Sequence, residues 1–229
     1  DELLIGQIID TNSAWLAQVL NETRIWVDKR IAVGDVKQDI LAALDDAGRQ
    51  HELILLTGGL GPTSDDITKP LLCEYFDTHL QEDERVLHHV QQLFEARKRP
   101  MLEVNIKQAW VPASCKVLFN SAGTAPGMWF EHQNRIFIAL PGVPMEMQTI
   151  MMEEGLPALK NHFRLQPIQH RTLITCGEGE SFLAAHLKPF EDNLPADIRL
   201  AYLPKLGTVK LRLTTLQTNP EYLQPYVDD

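Results

Sequence analysis

The sequence predicts an α/β protein whose first part is a mostly parallel sheet with helices on both faces, followed by a small α+β unit. Two apolar runs, Leu53-Ile54-Leu55-Leu56 and Ile136-Phe137-Ile138-Ala139-Leu140, read as strands covered on both faces, and each runs directly into a glycine loop. Helical stripes alternate with these strand signals up to Phe163, after which the pattern changes.

The elements follow in chain order. Trp15, Leu16, Val19 and Leu20 recur at helical spacing behind Asn12 or Ser13 as a cap, and the β-branched residues of Ile25–Val33 predict a strand. Val36, Ile40, Leu41 and Leu44 form the next helical stripe, with Gly48 as a stop before the Leu53 strand. Helices are expected over Lys69–Phe76 and Asp83–Arg97, the second with Val86, Leu87, Val90, Leu93 and Phe94 on one face. Beyond the Ile136 strand, a methionine-rich helix runs from Pro144 to Lys160, its methionines read as core packing. Pro167 and the strand-like Arg171–Thr175 open the second unit, continued by a helix from Gly179-Glu180-Ser181 to Phe190 and strands near Ile198–Leu203 and Val209–Leu213. The division is placed at 1–165 and 166–229.

Composition narrows the function classes. At 229 residues, 44% hydrophobic and 23% charged, the chain reads as an ordinary soluble protein. A net charge of −10 and a pI near 5.2 argue against a nucleic-acid or anionic-membrane surface. No apolar run approaches the ~18 residues needed to span a bilayer and no signal-peptide pattern opens the chain, so the cytoplasm is the expected location. Cys73, Cys115 and Cys176 are odd in number and widely spaced, which fits reduced, buried thiols. His88 and His89 have no carboxylate or cysteine at ligand spacing and read as residues of a solvated helix.

The chemistry concentrates in Thr57-Gly58-Gly59-Leu60-Gly61-Pro62-Thr63-Ser64-Asp65-Asp66-Ile67-Thr68. Three glycines after a buried strand let backbone N–H groups approach an anion closely, with a helix N-terminus to follow. Asp65 and Asp66 would repel a phosphate unless a divalent cation sat between them. The plainer alternative is a strand-to-helix turn in which Asp66 caps the helix. The loop lacks the Gly-Lys-Ser/Thr of a P-loop and the glycine spacing of the dinucleotide fingerprint. No serine, cysteine or histidine is arranged as an evident nucleophile.

This loop resembles the Gly-Gly-x-Gly…Asp-x-Thr signature of the molybdopterin-binding fold, and its full form is similar to that of the competence/damage-inducible CinA-like family. Asp1–Gly6 with Asp10-Thr11-Asn12, Val33-Gly34-Asp35, Asn105-Ile106-Lys107-Gln108-Ala109, Gly123-Thr124-Ala125-Pro126-Gly127 and Leu140-Pro141-Gly142-Val143-Pro144 agree with that family in the same order. The resemblance implies a three-layer molybdopterin-binding-like domain and a KH-like second unit. It implies metal-dependent hydrolysis of a nucleotide pyrophosphate, ADP-ribose to AMP and ribose 5-phosphate. The alternative is non-hydrolytic binding of molybdopterin or a nucleotide. Asp66, Asp35 and Lys107 are the candidate catalytic residues, and Asp66, Asp35 and Asp65 the candidate ligands of magnesium, manganese or cobalt. Substrate contacts are assigned to Thr57, Gly58, Gly59, Leu60, Gly61, Pro62, Thr63, Asn105, Gly123, Thr124, Ala125, Gly127, Pro141 and Gly142. Asp35 is open to a second reading as a helix cap, and the Asn120–Gly127 loop to one as a turn. Ile106 stands where the family commonly has arginine, which removes one positive charge. The second unit lacks the basic Gly-x-x-Gly clamp, Gly177-Glu178-Gly179-Glu180 being acidic, so no nucleic-acid partner is expected and the unit reads as a dimerisation or interaction element, consistent with a homodimer. The resemblance also implies a short apolar strand before Asp1-Glu2 and, in many members, a C-terminal amidohydrolase domain acting on nicotinamide mononucleotide.

Overall fold

A computed structural model describes residues 2–63, 66–164, 169–217, 219 and 221–228. The chain divides into two units, Asp1–Leu16 with Asp28–Leu159, and Ala17–Val27 with Lys160–Asp229. The expected opening of the second unit at Pro167 lies outside the described residues.

The elements are α1 (Thr11–Glu22), α2 (Lys37–Gln50), β1 (Leu53–Thr57), α3 (Thr68–Tyr75), β2 (Leu80–Glu82), α4 (Glu84–Ala96), α5 (Glu103–Ile106), β3 (Trp110–Pro112), β4 (Lys116–Leu118), β5 (Gly127–His132), β6 (Arg135–Leu140), α6 (Pro144–Ile150), α7 (Leu156–His162), β7 (Gln169–Cys176), α8 (Glu180–Asp192), β8 (Ile198–Lys205), β9 (Thr208–Thr215) and α9 (Pro225–Asp228). A 3₁₀ turn, Lys107–Ala109, follows α5, and a π turn, Met151–Gly155, joins α6 to α7.

In the first unit the strand order is β1-β6-β5-β4. The pair β1–β6 is parallel and the pairs β6–β5 and β5–β4 are antiparallel, so the described sheet is mixed rather than mostly parallel. The tight β5–β6 connection accounts for this: Gln133 and Asn134 both take positive φ, 50° and 60°, the conformation of a two-residue hairpin turn. Alternation along β5 defines the layers. Met128 and Phe130 join the cluster with Leu44 of α2 and Leu72 of α3, whereas Gly127, on the opposite face, leaves room for Ile150 of α6 at 2.9 Å from where a Cβ would stand. Helices therefore cover both faces of the sheet.

β6 is central, with Ile136 to Leu140 at most 2% exposed. β1 is the edge strand among the described residues, and of Leu53–Leu56 only Ile54 is buried, at 7%. Phe76 stacks on Phe130 at 4.2 Å and meets Phe137 edge-on at 5.2 Å, the aromatic centre of this core. Gly48 does not stop α2. The helix continues to Gln50, and a Cβ at Gly48 would sit 3.2 Å from the Phe137 ring, so the glycine serves close packing instead. Ile25–Val33 forms no strand, because β-branched residues favour extended backbone but a ladder needs a partner strand. Asp83 caps α4 by accepting from Val86 N at 2.9 Å. Met147 and Met151 are fully buried, but Met145 and Met152 are exposed. Cys73 and Cys115 are partly buried, whereas Cys176 is exposed, against expectation. None of the described helices is long and apolar enough to cross a membrane.

The second unit has the β-α-β-β order read from the sequence, with strand order β7-β9-β8, antiparallel throughout. Ile198, Leu213 and Leu223 form its buried centre, flanked by Phe190, Leu194, Tyr222 and Tyr226.

Among the described residues of the first unit, one charge is buried. Lys69 of α3 is 7% exposed and its Nζ donates to Gln108 O at 2.9 Å and Trp110 O at 3.2 Å. Burial pushes its ammonium down from 10.5 to about 8, with the Asp66 carboxylate acting in the opposite direction. Burial also pushes the Cys115 thiol up to about 12, so that thiol stays neutral where Lys69 titrates.

Two outcomes follow from this packing. Phe137→Ala should cost about 3–5 kcal/mol in chemical denaturation, whereas Leu206→Ser, at a fully exposed position, should stay within about 0.5 kcal/mol. Between pH 8 and 10.5 the unfolded chain holds the Lys69 proton more tightly than the folded one, so this group makes stability rise with pH across that window. The stability of the wild-type chain relative to Lys69→Met should therefore increase by about 3 kcal/mol from the bottom to the top of the window, read from urea midpoints at several pH values.

Candidate functional site

Parallel pairing puts the carboxyl ends of β1 and β6 side by side, Thr57 opposite Leu140. Both strands then leave the sheet through glycine. Gly58 N donates to Leu140 O at 2.9 Å, extending the ladder by one residue, and a Cβ at Gly142 would lie 3.4 Å from Gly58 Cα. Gly58 and Gly59 take φ of +105° and +67°, conformations that other residues reach only with strain. Space around Gly58 is open, since an added Cβ there meets nothing within 4 Å. The loop's small residues therefore leave bare backbone at the point where ligands bind in open α/β sheets.

The loop is held from its far side by Thr68, the first residue of α3. Its N donates to Gly59 O at 3.1 Å and its Oγ1 to Gly58 O at 3.2 Å. Asp66 is not the cap of α3, a position taken by Ile67 without a side-chain bond. Its Oδ2 turns back on the loop and accepts from Thr63 N at 3.0 Å and Thr63 Oγ1 at 2.5 Å. The carboxylate rests on Gly61, where a Cβ would stand 2.5 Å from Oδ2. This arrangement leaves Asp66 Oδ1 without a hydrogen bond among the described residues, a hard oxygen donor partly exposed beside the loop amides.

The other sequence-assigned positions divide. Thr57, Pro62 and Thr63 are exposed, Leu60 is 1% exposed with its side chain in the core, and Pro141 is buried beside exposed Gly142. Asp35 is exposed two residues ahead of α2, and Asp65 lies outside the described residues. Asn105 Oδ1 accepts from Leu102 N at 3.0 Å, closing the start of its own short helix. Lys107 is solvent-facing and pairs with Glu103 at 2.9 Å, which holds the Glu103 carboxyl below its usual range. Gly123 is buried under Glu146, whose carboxylate stands 2.2 Å from where its Cβ would be. Ala125 belongs to the core cluster and Gly127 to β5, so packing explains both.

Residues that sequence reasoning passed over tie the loops together. Asn12 Nδ2 donates to Gly142 O at 2.8 Å, docking the start of α1 on the second glycine loop. The cap of α1 is Asp10, which accepts from Ser13 N at 2.9 Å, rather than Asn12 or Ser13. Buried Asn120 donates to Ala125 O at 2.9 Å and to Glu146 Oε2 at 2.6 Å, clasping the third loop against α6. His89 is no bystander on a solvated face, since it packs edge-on against Phe119 at 4.8 Å with Nε2 3.2 Å from Gly123 O. Asn12 and Thr68 stand within the recognised motifs and could have been singled out; Lys69 and Glu146 offered no local signal, because their partners lie far away in sequence.

Among the described residues no group of three or more histidine, cysteine, aspartate or glutamate side chains could hold a metal ion.

Comparison with known proteins gives this geometry its family. Residues 1–161 match the model described as probable molybdopterin binding domain, and residues 170–228 that of the damage-inducible protein CinA KH domain. A CinA-like protein of Flavobacterium psychrophilum is 50% identical over 215 residues, covering 93% of this chain and 51% of that protein. One of Cytophaga hutchinsonii is 46% identical over 224 residues, 98% of this chain and 54% of that protein. The chain thus spans about half the length of the curated relatives it matches. The crystal structure of CinA from Thermoplasma acidophilum, described as of unknown function, superposes with a TM-score of 0.61 at 30% identity, covering 69% of this chain and 92% of that one. With two glycine loops meeting at a parallel strand pair and both domain models matched in order, the chain belongs to the CinA-like family, a molybdopterin-binding-like domain followed by a CinA KH domain.

Proposed function

We propose that the first unit binds a nucleotide pyrophosphate at its glycine loops and hydrolyses it with a divalent cation, ADP-ribose giving AMP and ribose 5-phosphate. The observation that carries this reading is the bare backbone of Gly58, Gly59 and Gly142 at the end of the β1–β6 pair, with the Asp66 carboxylate seated on Gly61 beside it. Gly58 N is taken by Leu140 O, Thr63 N by Asp66, and Pro62 has no N–H, so the amides of Gly59, Leu60 and Gly61 hold one phosphate in a protein whose net charge of −10 offers few other anion sites. Asp66, with Asp35 or Asp65, would hold the cation, and the Thr63 bonds fix the orientation of its carboxylate. The bound cation supplies charge neutralisation and an activated water. Lys107 balances charge on the departing phosphate. Its pair with Glu103 is exposed on both sides and screened by solvent, so exchanging Glu103 for a phosphate costs little.

A second reading, binding of molybdopterin or a nucleotide without turnover, draws on the description of the matched first domain and on the small number of carboxylates at the loop. Incubation with ADP-ribose and a series of divalent metals separates the two: AMP release supports hydrolysis, whereas saturable binding without AMP supports the second reading.

Asp66→Asn retains a side-chain acceptor for Thr63 but removes the charge, so thermal stability should change little while metal-dependent AMP release falls on the order of 10²-fold or more. Asp45→Asn, which breaks only the exposed α2 pair with Arg49, should leave release unchanged. Gly61→Ala should reproduce the Asp66→Asn loss, because the new methyl displaces that carboxylate from its seat. Retained turnover in Asp66→Asn would move the metal site elsewhere.

A further inference from the structure

The glycine loop and the segment carrying Asn105 and Lys107 lie far apart in sequence, and among the described residues hydrogen bonds from Thr68 and Lys69 link them. A continuous chain of hydrogen bonds runs from β6 to that segment. Leu140 O accepts from Gly58 N, Gly58 O and Gly59 O accept from Thr68, and the next residue, Lys69, reaches Gln108 O and Trp110 O. Between those two carbonyls, Ala109 O accepts from Asp83 N at 2.9 Å, so three consecutive carbonyls of the 3₁₀ turn and β3 are gripped. Only the outer two depend on a side chain. Gln108 and Ala109 are 4% and 0% exposed, and Ala109 packs with Val86 and Val90 of α4, so the turn is seated in the core while Lys107 projects outward from it. A neutral hydrocarbon of the same length would fill the Lys69 site more favourably than an ammonium, which is expensive to bury. The retained charge is instead matched to two carbonyl acceptors, the strongest link between these segments that the described residues provide.

We infer that Lys69 is a positioning residue: it fixes the Asn105–Trp110 segment, and Lys107 with it, relative to the Gly58–Thr63 phosphate loop. It does not itself touch the ligand, being buried behind the loop. The inference rests on the proposed role of Lys107. Removing the Lys69 ammonium should leave phosphate binding by the loop amides intact but let the 3₁₀ turn drift, which lowers turnover rather than affinity.

The test is a double-mutant cycle on the full chain with Lys69→Met, Lys107→Ala and the pair, using ADP-ribose with the metal that supports wild-type AMP release. Lys69→Met should lower kcat on the order of 10-fold or more with KM changed less than about 3-fold, and the loss should vanish in the Lys107→Ala background. Lys69→Arg, which keeps charge and donors, should recover most of the turnover; if Lys69→Met does not fold, Lys69→Gln, neutral and shorter than lysine, carries the cycle with the same expected outcome. An equal loss with and without Lys107 would make Lys69 a core prop only and overturn the inference. Amide hydrogen exchange provides a readout independent of turnover. Glu103–Trp110 should exchange on the order of 10-fold faster in Lys69→Met, with Gly58–Thr63 unchanged. Unchanged exchange in Glu103–Trp110 overturns the inference, whereas faster exchange in a chain whose wild type releases no AMP overturns the hydrolytic reading while Lys69 still sets the segment's position.

Discussion

Everything at the candidate site depends on one constraint: β1 and β6 run parallel and in a register that ends them together, Thr57 beside Leu140. A parallel pair cannot be closed by a hairpin, so each strand must leave through its own loop, and the two loops are forced to start side by side. Side chains at that point would fill the open space, and glycine at 58 and 142 leaves it free. The buried residues of β6 hold this geometry rigid, because Ile136 to Leu140 are at most 2% exposed and a slip in register would carry charged Arg135 into the packed interior. The loops themselves are thus ordered by the sheet behind them, and Thr68 and Asn12 only trim their positions.

Legibility of the fold in the sequence follows how local each determinant is. The stripe Val86, Leu87, Val90, Leu93 and Phe94 specified α4, since that signal lies within one helix, and Asp83, read as its first residue, is its cap. Strand β9 was legible for the same reason, Val209-Lys210-Leu211-Arg212-Leu213 alternating along it. Ile25–Val33 and Leu53–Leu56 were read too strongly. Their side chains state a preference for extended backbone, but ladder formation and two-sided burial are properties of neighbours that those residues do not choose. Gly48 was misread because a helix-stopping glycine and a packing glycine look alike until Phe137, 89 residues on, is placed against it.

The site shows the same division. Gly58, Gly59, Gly61 and Asp66 were singled out together because the loop that unites them is twelve residues long. Asp66 had two readings, cap or site, and the bond to Thr63 with Ile67 at the cap position decides against the first. Lys69 was invisible as anything but a helix residue. Its partners are carbonyl oxygens, which every residue possesses, so no pattern of side-chain types could reveal them. Lys107, which the motif emphasised, depends on that unannounced lysine for its place.

The division of the chain into units bears on how such proteins can be taken apart. Ala17–Val27 belongs with the residues beyond Lys160, and Arg24 of that stretch donates to Leu216 O at the end of β9. A single cut near residue 160 therefore does not separate two self-sufficient pieces, since the later piece loses an early segment to which it is bonded. Recombination between relatives that exchanges only the tail would join a KH sheet to a foreign version of that early segment. For this chain, modularity in the gene and modularity in space do not coincide.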